Sequence, residues 1–183
     1  MRIGLSDGVD EVGVMITADA EQAKSTGGMV ALFPSPESAQ RLLVDGGEPI
    51  EDLHLTLAYL GEDVRGYYSS VAAQNAVFAA SHNFPLVEAK CMGHATFNPA
   101  GDEPCAVHLI GDNDYLPELY EFIQDVLTVN YDLPRQHTPW LPHVTGGYGL
   151  SAADLSYTGP VEFDTIGVTW AGEAFMHPLS RVF

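Results

Sequence analysis

Two copies of a short pattern, His-x-Thr-x, constrain the fold of this chain more than any other feature. His54-Leu55-Thr56-Leu57 lies in the apolar segment LHLTLAYLG, and His143-Val144-Thr145-Gly146 lies in LPHVTGGYG. Each copy follows a predicted helix, begins a predicted strand, and leads to an aromatic residue and a glycine. This repeated context predicts an internal duplication, with two halves related by a pseudo-two-fold axis.

The spacing within each copy predicts that His and Thr share one face of their strand, because successive side chains of a strand alternate. If the two strands meet, two imidazoles and two hydroxyls converge, which suits acid–base attack on a phosphodiester. One imidazole takes a proton from the attacking water or 2′-hydroxyl and the other protonates the leaving oxygen, while the threonines hold the phosphate oxygens. An imidazole pKa near 6.5 lets one ring be neutral and the other charged near neutral pH. This chemistry requires no metal.

A third copy, His94-Ala95-Thr96-Phe97, means that the pattern alone does not identify the pair. It lies before the turn residues Asn98-Pro99-Ala100-Gly101, in a predicted hairpin strand, and does not follow a helix. We therefore expect an edge or core role for His94. The expected catalytic residues are His54, Thr56, His143 and Thr145.

Apolar periodicity and turn residues predict an α/β or α+β fold with a mixed or antiparallel sheet. A helix is predicted from Pro36, after the N-cap Ser35, to Gly46-Gly47. The other predicted helices span residues 64–80 and 115–129. The predicted strands span residues 12–17, 29–33, 53–60, 86–97, 106–110, 141–148, 161–170 and 174–179.

The charge balance restricts the expected partners. Seven Lys and Arg stand against 25 Asp and Glu, and the net charge is −18. Because so few cations cannot neutralise many phosphates, no long nucleic acid is expected as a partner. A small anion can still be held by hydroxyls, backbone N–H groups and histidines.

Apolar runs are far shorter than the roughly 20 residues of a membrane span, so no membrane association is expected. The N-terminus lacks the apolar core of a signal peptide, which predicts an intracellular protein.

The motif pair HLTL and HVTG, with the β-α-β order around it, resembles the 2H phosphoesterase superfamily. That superfamily includes 2′-5′ RNA ligase-like proteins, cyclic phosphodiesterases and phage-encoded members. The segment GGMVALFPSP…GGEPIEDLHLTLAYLG is particularly similar to the ligase-like branch of bacteria and their phages. The resemblance covers residues 29–179. It implies a bilobal fold of two pseudo-symmetric β-α-β lobes around a central cleft, with the two motif histidines as acid and base and the two threonines as phosphate ligands.

One residue departs from the family pattern, because Gly146 stands where an apolar residue usually follows the second threonine; this bears on local packing. For the domains, we expect an N-terminal extension over residues 1–28, ending in a polar, glycine-rich linker, and one bilobal domain over residues 29–183. The expected location is the cytoplasm, that of the host if the chain is phage-encoded.

The resemblance leaves the substrate open. Members of the superfamily act on 2′,3′-cyclic phosphates, 2′-5′ linkages, ADP-ribose cyclic phosphates or cyclic oligonucleotide signals. The few basic residues favour a small nucleotide substrate, and RNA ligation is the least favoured role. The alternatives are a phage-type anti-defence (anti-CBASS) enzyme that degrades cyclic oligonucleotide signals, and a non-catalytic nucleotide-binding sponge. An intact His/Thr pair in both copies argues against the sponge, since a pure binder has no need of two titrating groups.

Four further residues are candidates for substrate binding. Phe33 could line a base pocket, Arg135 could meet phosphate, Trp140 could stack on a base, and Tyr148 follows the second motif. The alternatives are core packing for Phe33, a surface position for Arg135 and lobe packing for Trp140. No cofactor is expected, and neither the cysteines nor the seven histidines show the spacing of a metal site. Cys91 and Cys105 are expected to be two unbridged thiols.

Overall fold

The computed structural model describes residues 25–180, and within them the predicted α+β order is present. The predicted strand at 12–17 and the first 24 residues of the predicted extension lie outside the described residues. The strands are β1 (Gly28–Pro34), β2 (Leu55–Gly61), β3 (Val87–Phe97), β4 (Cys105–Gly111), β5 (His143–Tyr148), β6 (Gly159–Trp170) and β7 (Glu173–Pro178). The helices are α1 (Pro36–Leu42), α2 (Val71–Asn83) and α3 (Tyr115–Asn130).

All seven strands belong to one sheet, in the order β1-β2-β5-β4-β3-β6-β7, and every strand pairing in it is antiparallel. The long strand β6 has a double role. Its first residues pair with β3, and the rest pair with β1. Following the pairings from β6 through β1, β2, β5, β4 and β3 therefore leads back to β6. The sheet has two halves, which share β6 and meet again where β2 lies beside β5.

The helices cover the sheet with apolar faces. The stripe predicted for α3 is present, since Leu116, Leu119, Ile123 and Leu127 are all buried. The helix packs on α2 and on β2, and α2 also packs on β6 and β7. The core between these layers includes Leu55, Val144 and Phe163. Strands β2 and β5 are therefore anchored from one face by apolar side chains, which leaves the other face to the polar residues of the motifs.

Local sequence signals place the start of α1 correctly but not its end. Ser35 caps the helix, because its Oγ accepts a hydrogen bond from the Ser38 N–H at 3.4 Å, and Pro36 occupies the first turn. The predicted end at Gly46-Gly47 is wrong, since the helix ends at Leu42 and Leu43 is extended. The Leu42 carbonyl instead accepts a hydrogen bond from buried His108. A long-range contact thus satisfies the last turn before the glycines are reached.

The predicted helix over 64–80 is wrong at its N-terminal end. Residues Val64–Gly66 form a 3-10 turn, the chain then extends at Tyr67, and α2 begins at Val71. The Asp63 carboxylate accepts the backbone N–H of Arg65 and holds this turn. Glycine in a helix interior is unfavourable by about 1 kcal/mol relative to alanine, so Gly66 favours the break.

The glycine-rich stretch predicted as a linker is part of the packed fold in its described portion. Thr26 is buried and donates a hydrogen bond to the Glu62 carbonyl at 2.7 Å. A Cβ at Gly28 would lie 2.8 Å from Val64 Cγ1 and 2.9 Å from the Thr169 carbonyl oxygen. Glycine is therefore required here by close packing between β1 and its neighbours.

Within residues 25–180, no helix has the length and apolar character that crossing a membrane requires.

Candidate active site

The two His-x-Thr motifs lie on neighbouring antiparallel strands. Leu55 of β2 pairs with Val144 of β5. Extending this antiparallel register by one residue places His54 across from Thr145, and Thr56 across from His143. Leu55 and Val144 are fully buried, whereas the four motif residues are half-buried on the other face. The arrangement has the two-fold character predicted from the repeat.

The backbone holds both imidazoles in the same tautomer. His54 Nδ1 lies 2.6 Å from the Asp52 carbonyl oxygen, and His143 Nδ1 lies 2.7 Å from the Leu141 carbonyl oxygen. A carbonyl can only accept, so Nδ1 carries the hydrogen in each ring and Nε2 carries the lone pair of the neutral form. In both copies the carbonyl belongs to the residue two positions earlier. The same local geometry therefore prepares both Nε2 atoms for proton transfer.

His143 has a shifted protonation equilibrium. Burial lowers its pKa below the ordinary value of 6.5; the hydrogen bond to the Leu141 carbonyl acts in the opposite direction, and nearby His137 lowers the pKa further. The ring is therefore neutral at neutral pH, the state that a proton acceptor needs.

We expect the His143 ring to titrate below pH 6.5, and NMR of the ring resonances, assigned by their loss in His143→Gln, measures this directly. A histidine with a lowered folded-state pKa binds fewer protons folded than unfolded, so its stabilising contribution is complete above 6.5 and is lost as the pH falls through the folded pKa. Urea unfolding of both proteins should show wild type losing stability relative to His143→Gln over this range. A midpoint at or above 6.5 would contradict the assignment.

An aromatic ring accompanies each motif histidine. Phe33, predicted from the sequence, has its ring centroid 6.3 Å from that of His54. Phe97 lies 4.9 Å from His143 in an edge-on arrangement. Phe97 was not among the residues predicted from the sequence, although strand alternation places its side chain on the opposite face from that of His94. A surface groove of about 360 Å³ adjoins Phe33 and is also lined by Ile50 and Leu53.

The other three predicted substrate-binding residues, Trp140, Arg135 and Tyr148, differ in their surroundings. The Trp140 ring stacks on that of Tyr120 with centroids 4.1 Å apart, and its indole N–H donates to the Thr56 carbonyl at 3.2 Å, so Trp140 contacts the backbone of the first motif. Arg135 is exposed and forms no ion pair with another described residue. Tyr148 is 54% exposed, at the end of β5.

Gln136 has a supporting role that no sequence signal indicated. Its side chain accepts the backbone N–H of Tyr59 and donates to the Tyr59 carbonyl, each at 2.9 Å. These two bonds have the pattern that the backbone of a neighbouring strand would form with Tyr59, and they attach the segment before β5 to β2. They thereby link the chain that leads into the second motif to the strand of the first.

The glycine that departs from the family pattern is explained by packing. A Cβ at Gly146 would lie 2.8 Å from Leu155 Cδ2, and one at Gly147 would lie 2.7 Å from Gly47 Cα. The Glu48 N–H donates to the Gly146 carbonyl at 2.9 Å. The loop after α1 therefore lies directly on β5, where Gly147 leaves room for Gly47, and Gly146 leaves room for Leu155 in the segment after β5.

The third copy of the pattern lies apart from the other two. His94 is half-buried on β3, where its Nε2 lies 2.8 Å from the Tyr157 carbonyl oxygen. Thr96 accepts the Ala152 backbone N–H at 2.8 Å. Both side chains hold the segment between β5 and β6, so this copy contributes to tertiary packing.

Both cysteines are unbridged thiols. Cys105 lies beside the second motif, with its Sγ 3.9 Å from Thr145 Oγ1. Cys91 lies on β3, beside the histidines of that strand and of β4.

No protein-family model matches the chain, and no curated protein sequence matches it. Among the solved structures that are similar to this chain, two illustrate the shared fold. The structure of E. coli LigT complexed with 3′-AMP aligns with a TM-score of 0.55 at 14% identity, over 85% of this chain and 95% of LigT. The structure of TT0787 of Thermus thermophilus aligns with a TM-score of 0.58 at 16% identity, over 84% of this chain and 95% of that protein. These alignments confirm an antiparallel α+β fold that this chain shares with LigT and TT0787.

Proposed function

We propose that this chain is a 2H-type phosphodiesterase that cleaves a small nucleotide phosphodiester by two-histidine acid–base catalysis. The observation that carries the proposal is the paired arrangement of the motifs. Two imidazoles with the same backbone-held tautomer lie on adjacent antiparallel strands, each across from a threonine hydroxyl. This is the donor and acceptor set that in-line displacement at phosphorus needs.

We assign the base to His143 and the acid to His54. The lowered pKa of His143 keeps its Nε2 able to accept a proton near neutral pH. An attacking water gives its proton to that nitrogen and forms a bond to phosphorus. The bond from phosphorus to the leaving oxygen breaks, and this oxygen takes a proton from Nε2 of protonated His54. With a 2′,3′-cyclic phosphate as substrate, the product is a monophosphate on one of the two ribose oxygens, and the other oxygen becomes a free hydroxyl of the same molecule.

Thr56 and Thr145 are assigned to the non-bridging phosphate oxygens. Each hydroxyl lies across from the histidine of the other motif, so one phosphate between the rings can reach both. Hydroxyl donors placed where charge develops stabilise the transition state, and removal of one such donor typically lowers kcat about 10²–10³-fold. They also allow an acidic protein with few Lys and Arg to bind a phosphodiester.

The substrate class follows from charge and from the aromatic rings. A net charge of −18 opposes long polyanions, whereas a mononucleotide-sized ligand needs only local donors. Phe33 and Phe97 offer an apolar surface on each side of the histidines, suited to a base. The similarity to LigT, whose structure was determined with 3′-AMP, supports a ligand of that size.

The test is product analysis by chromatography and mass. The purified full chain is incubated with EDTA and a panel of 2′,3′-cyclic nucleotides, 2′-5′ dinucleotides, and cyclic di- and trinucleotides, with His54→Ala in parallel. Cleavage of one class by wild type and not by the variant supports the proposal and names the substrate. Turnover restricted to cyclic oligonucleotides assigns the anti-defence alternative. Tight binding without any product overturns the enzyme in favour of a nucleotide-binding sponge.

A further inference from the structure

A cluster of three metal-binding side chains lies outside the proposed active site. Cys91 and His94 of β3 and His108 of β4 each offer one ligand atom, and these atoms lie within 4.8 Å of one another. Cys91 and His108 are almost fully buried, with exposed fractions of 2% and 1%, and His94 is half-buried. A thiol with two imidazoles is the ligand chemistry that zinc prefers among common cations.

A β-bulge creates the cluster. In a regular strand, residues three apart point to opposite faces, so Cys91 and His94 would be separated by the sheet. The register of β3 against β4 shifts between Cys91 and Gly93, and Met92 is the extra residue, 63% exposed. The shift returns Cys91 to the face of His94. Bulges that redirect a side chain in this way are common beside functional sites.

Both imidazoles are held by backbone carbonyls in the tautomer that suits a ligand. His108 Nε2 lies 3.0 Å from the Leu42 carbonyl oxygen, and His94 Nε2 lies 2.8 Å from the Tyr157 carbonyl oxygen. Nε2 therefore carries the hydrogen in each ring, and Nδ1 carries the lone pair. Metal-ligating histidines typically donate their other N–H to such a carbonyl, which orients the ring.

The separation of the ligand atoms fits a tetrahedral ion. Cys91 Sγ lies 3.7 Å from His108 Nδ1, and the rings of His94 and His108 are nearly perpendicular, with centroids 5.3 Å apart. Zinc bond lengths and a tetrahedral angle give about 3.6 Å between a sulfur and a nitrogen ligand. This pair of ligands could thus reach one ion with little movement.

The cluster lies on the other face of the sheet from the motif histidines. His108 pairs with Val144, which is buried, and the neighbouring pair is Leu109 with His143. Because side chains alternate, His108 and His143 point away from each other. The inference below therefore does not rest on the proposed function.

We propose that Cys91, His94 and His108 form a zinc site with three protein ligands and water in the fourth position. On binding, the Cys91 thiol gives its proton to solvent and the resulting thiolate bonds to the ion, so one proton is released for each thiolate–metal bond formed. The ion would join β3 to β4 at the point where the pairing of β3 with β6 ends, at Cys91. The ion would thus have a structural role, since it would hold the two strands together.

The test uses Co²⁺ as a spectroscopic probe of the purified, metal-free full chain. We expect one Co²⁺ per chain with visible bands of tetrahedral coordination and a near-ultraviolet thiolate-to-metal charge-transfer band, all displaced by Zn²⁺. Cys91→Ala should lose the charge-transfer band and His94→Ala the tetrahedral bands, whereas the matched control Cys105→Ala should keep both. Zn²⁺ should also raise the Tm of wild type and not that of Cys91→Ala.

The charge-transfer band distinguishes this site from a metal ion bound by the motif histidines, because imidazole ligands give no thiolate band. A His54→Ala, His143→Ala double variant should retain the full cobalt spectrum. If Cys91→Ala does not fold by circular dichroism, His94→Ala at the half-buried position still tests the proposal. A wild-type chain that shows no charge-transfer band, or a Cys91→Ala spectrum equal to that of wild type, would overturn it.

Discussion

Replacement of His54 or His143 by alanine is expected to lower kcat by about 10²–10⁴-fold, the usual contribution of a positioned acid or base. The loss should fall on kcat more than on KM, because in the proposed mechanism each imidazole moves a proton in the transition state and contributes less to the bound substrate. The double variant should lose little beyond the larger single effect, since the acid and the base act in one step. Steady-state kinetics with the substrate identified from the panel measures all three.

Three further variants test whether this result is specific. His82→Ala removes an exposed histidine at the end of α2 and should leave kcat unchanged. Thr145→Val removes a hydroxyl at nearly constant volume, and Thr145→Ser should restore most of the lost activity. If His54→Ala and His143→Ala turn over at the rate of His82→Ala, the catalytic assignment is wrong.

Replacement of Phe163 by alanine should cost about 3–5 kcal/mol of unfolding free energy, the range seen for large buried aromatic residues. Phe163 is fully buried and lies where β6 changes partners, since it pairs with Val87 of β3 and with Pro34 of β1. A cavity there weakens both halves of the sheet at their shared strand. The expected loss is a large part of the roughly 5–15 kcal/mol that typical domains possess.

Urea denaturation followed by fluorescence and circular dichroism measures this loss. Phe78→Ala on α2 is the control, because its ring is 53% exposed and its removal should cost much less. If Phe163→Ala does not fold, Phe163→Leu provides a milder change, with an expected loss below about 1.5 kcal/mol. Equal losses for Phe163→Ala and Phe78→Ala would show that the junction of β6 is not critical.

Features encoded within a few residues were predicted well. The N-cap before α1 and the proline that begins it, the apolar stripe of α3 and the turn at Asn98 each define their element locally, because capping, helical periodicity and turn geometry act over short stretches. The same is true of each His-x-Thr motif, whose shared face follows from strand alternation alone. The error at Gly46 arose where a tertiary contact of Leu42 set the end of the helix, whereas the error at Val64 arose from a local turn held by Asp63.

Contacts between segments that are far apart in the sequence could not be predicted from local sequence patterns. The approach of Phe97 to His143, the attachment of Gln136 to Tyr59 and the bulge at Met92 each depend on which strands become neighbours. Neither periodicity nor residue type specifies that choice. The cluster of Cys91, His94 and His108 belongs to the same class, since the three residues share a face only after the bulge has formed.

The sequence by itself determined an α/β or α+β class with a mixed or antiparallel sheet, and the two motifs, because these rest on local patterns of apolar residues and on side-chain alternation. Only the tertiary structure decided that Leu55 pairs with Val144, which brings each histidine opposite the threonine of the other motif. That register depends on the closure of the sheet through β6 and on the packing of α3 behind β2. Such contacts are selected by the free energy of the whole core, so no single segment contains the information that specifies them.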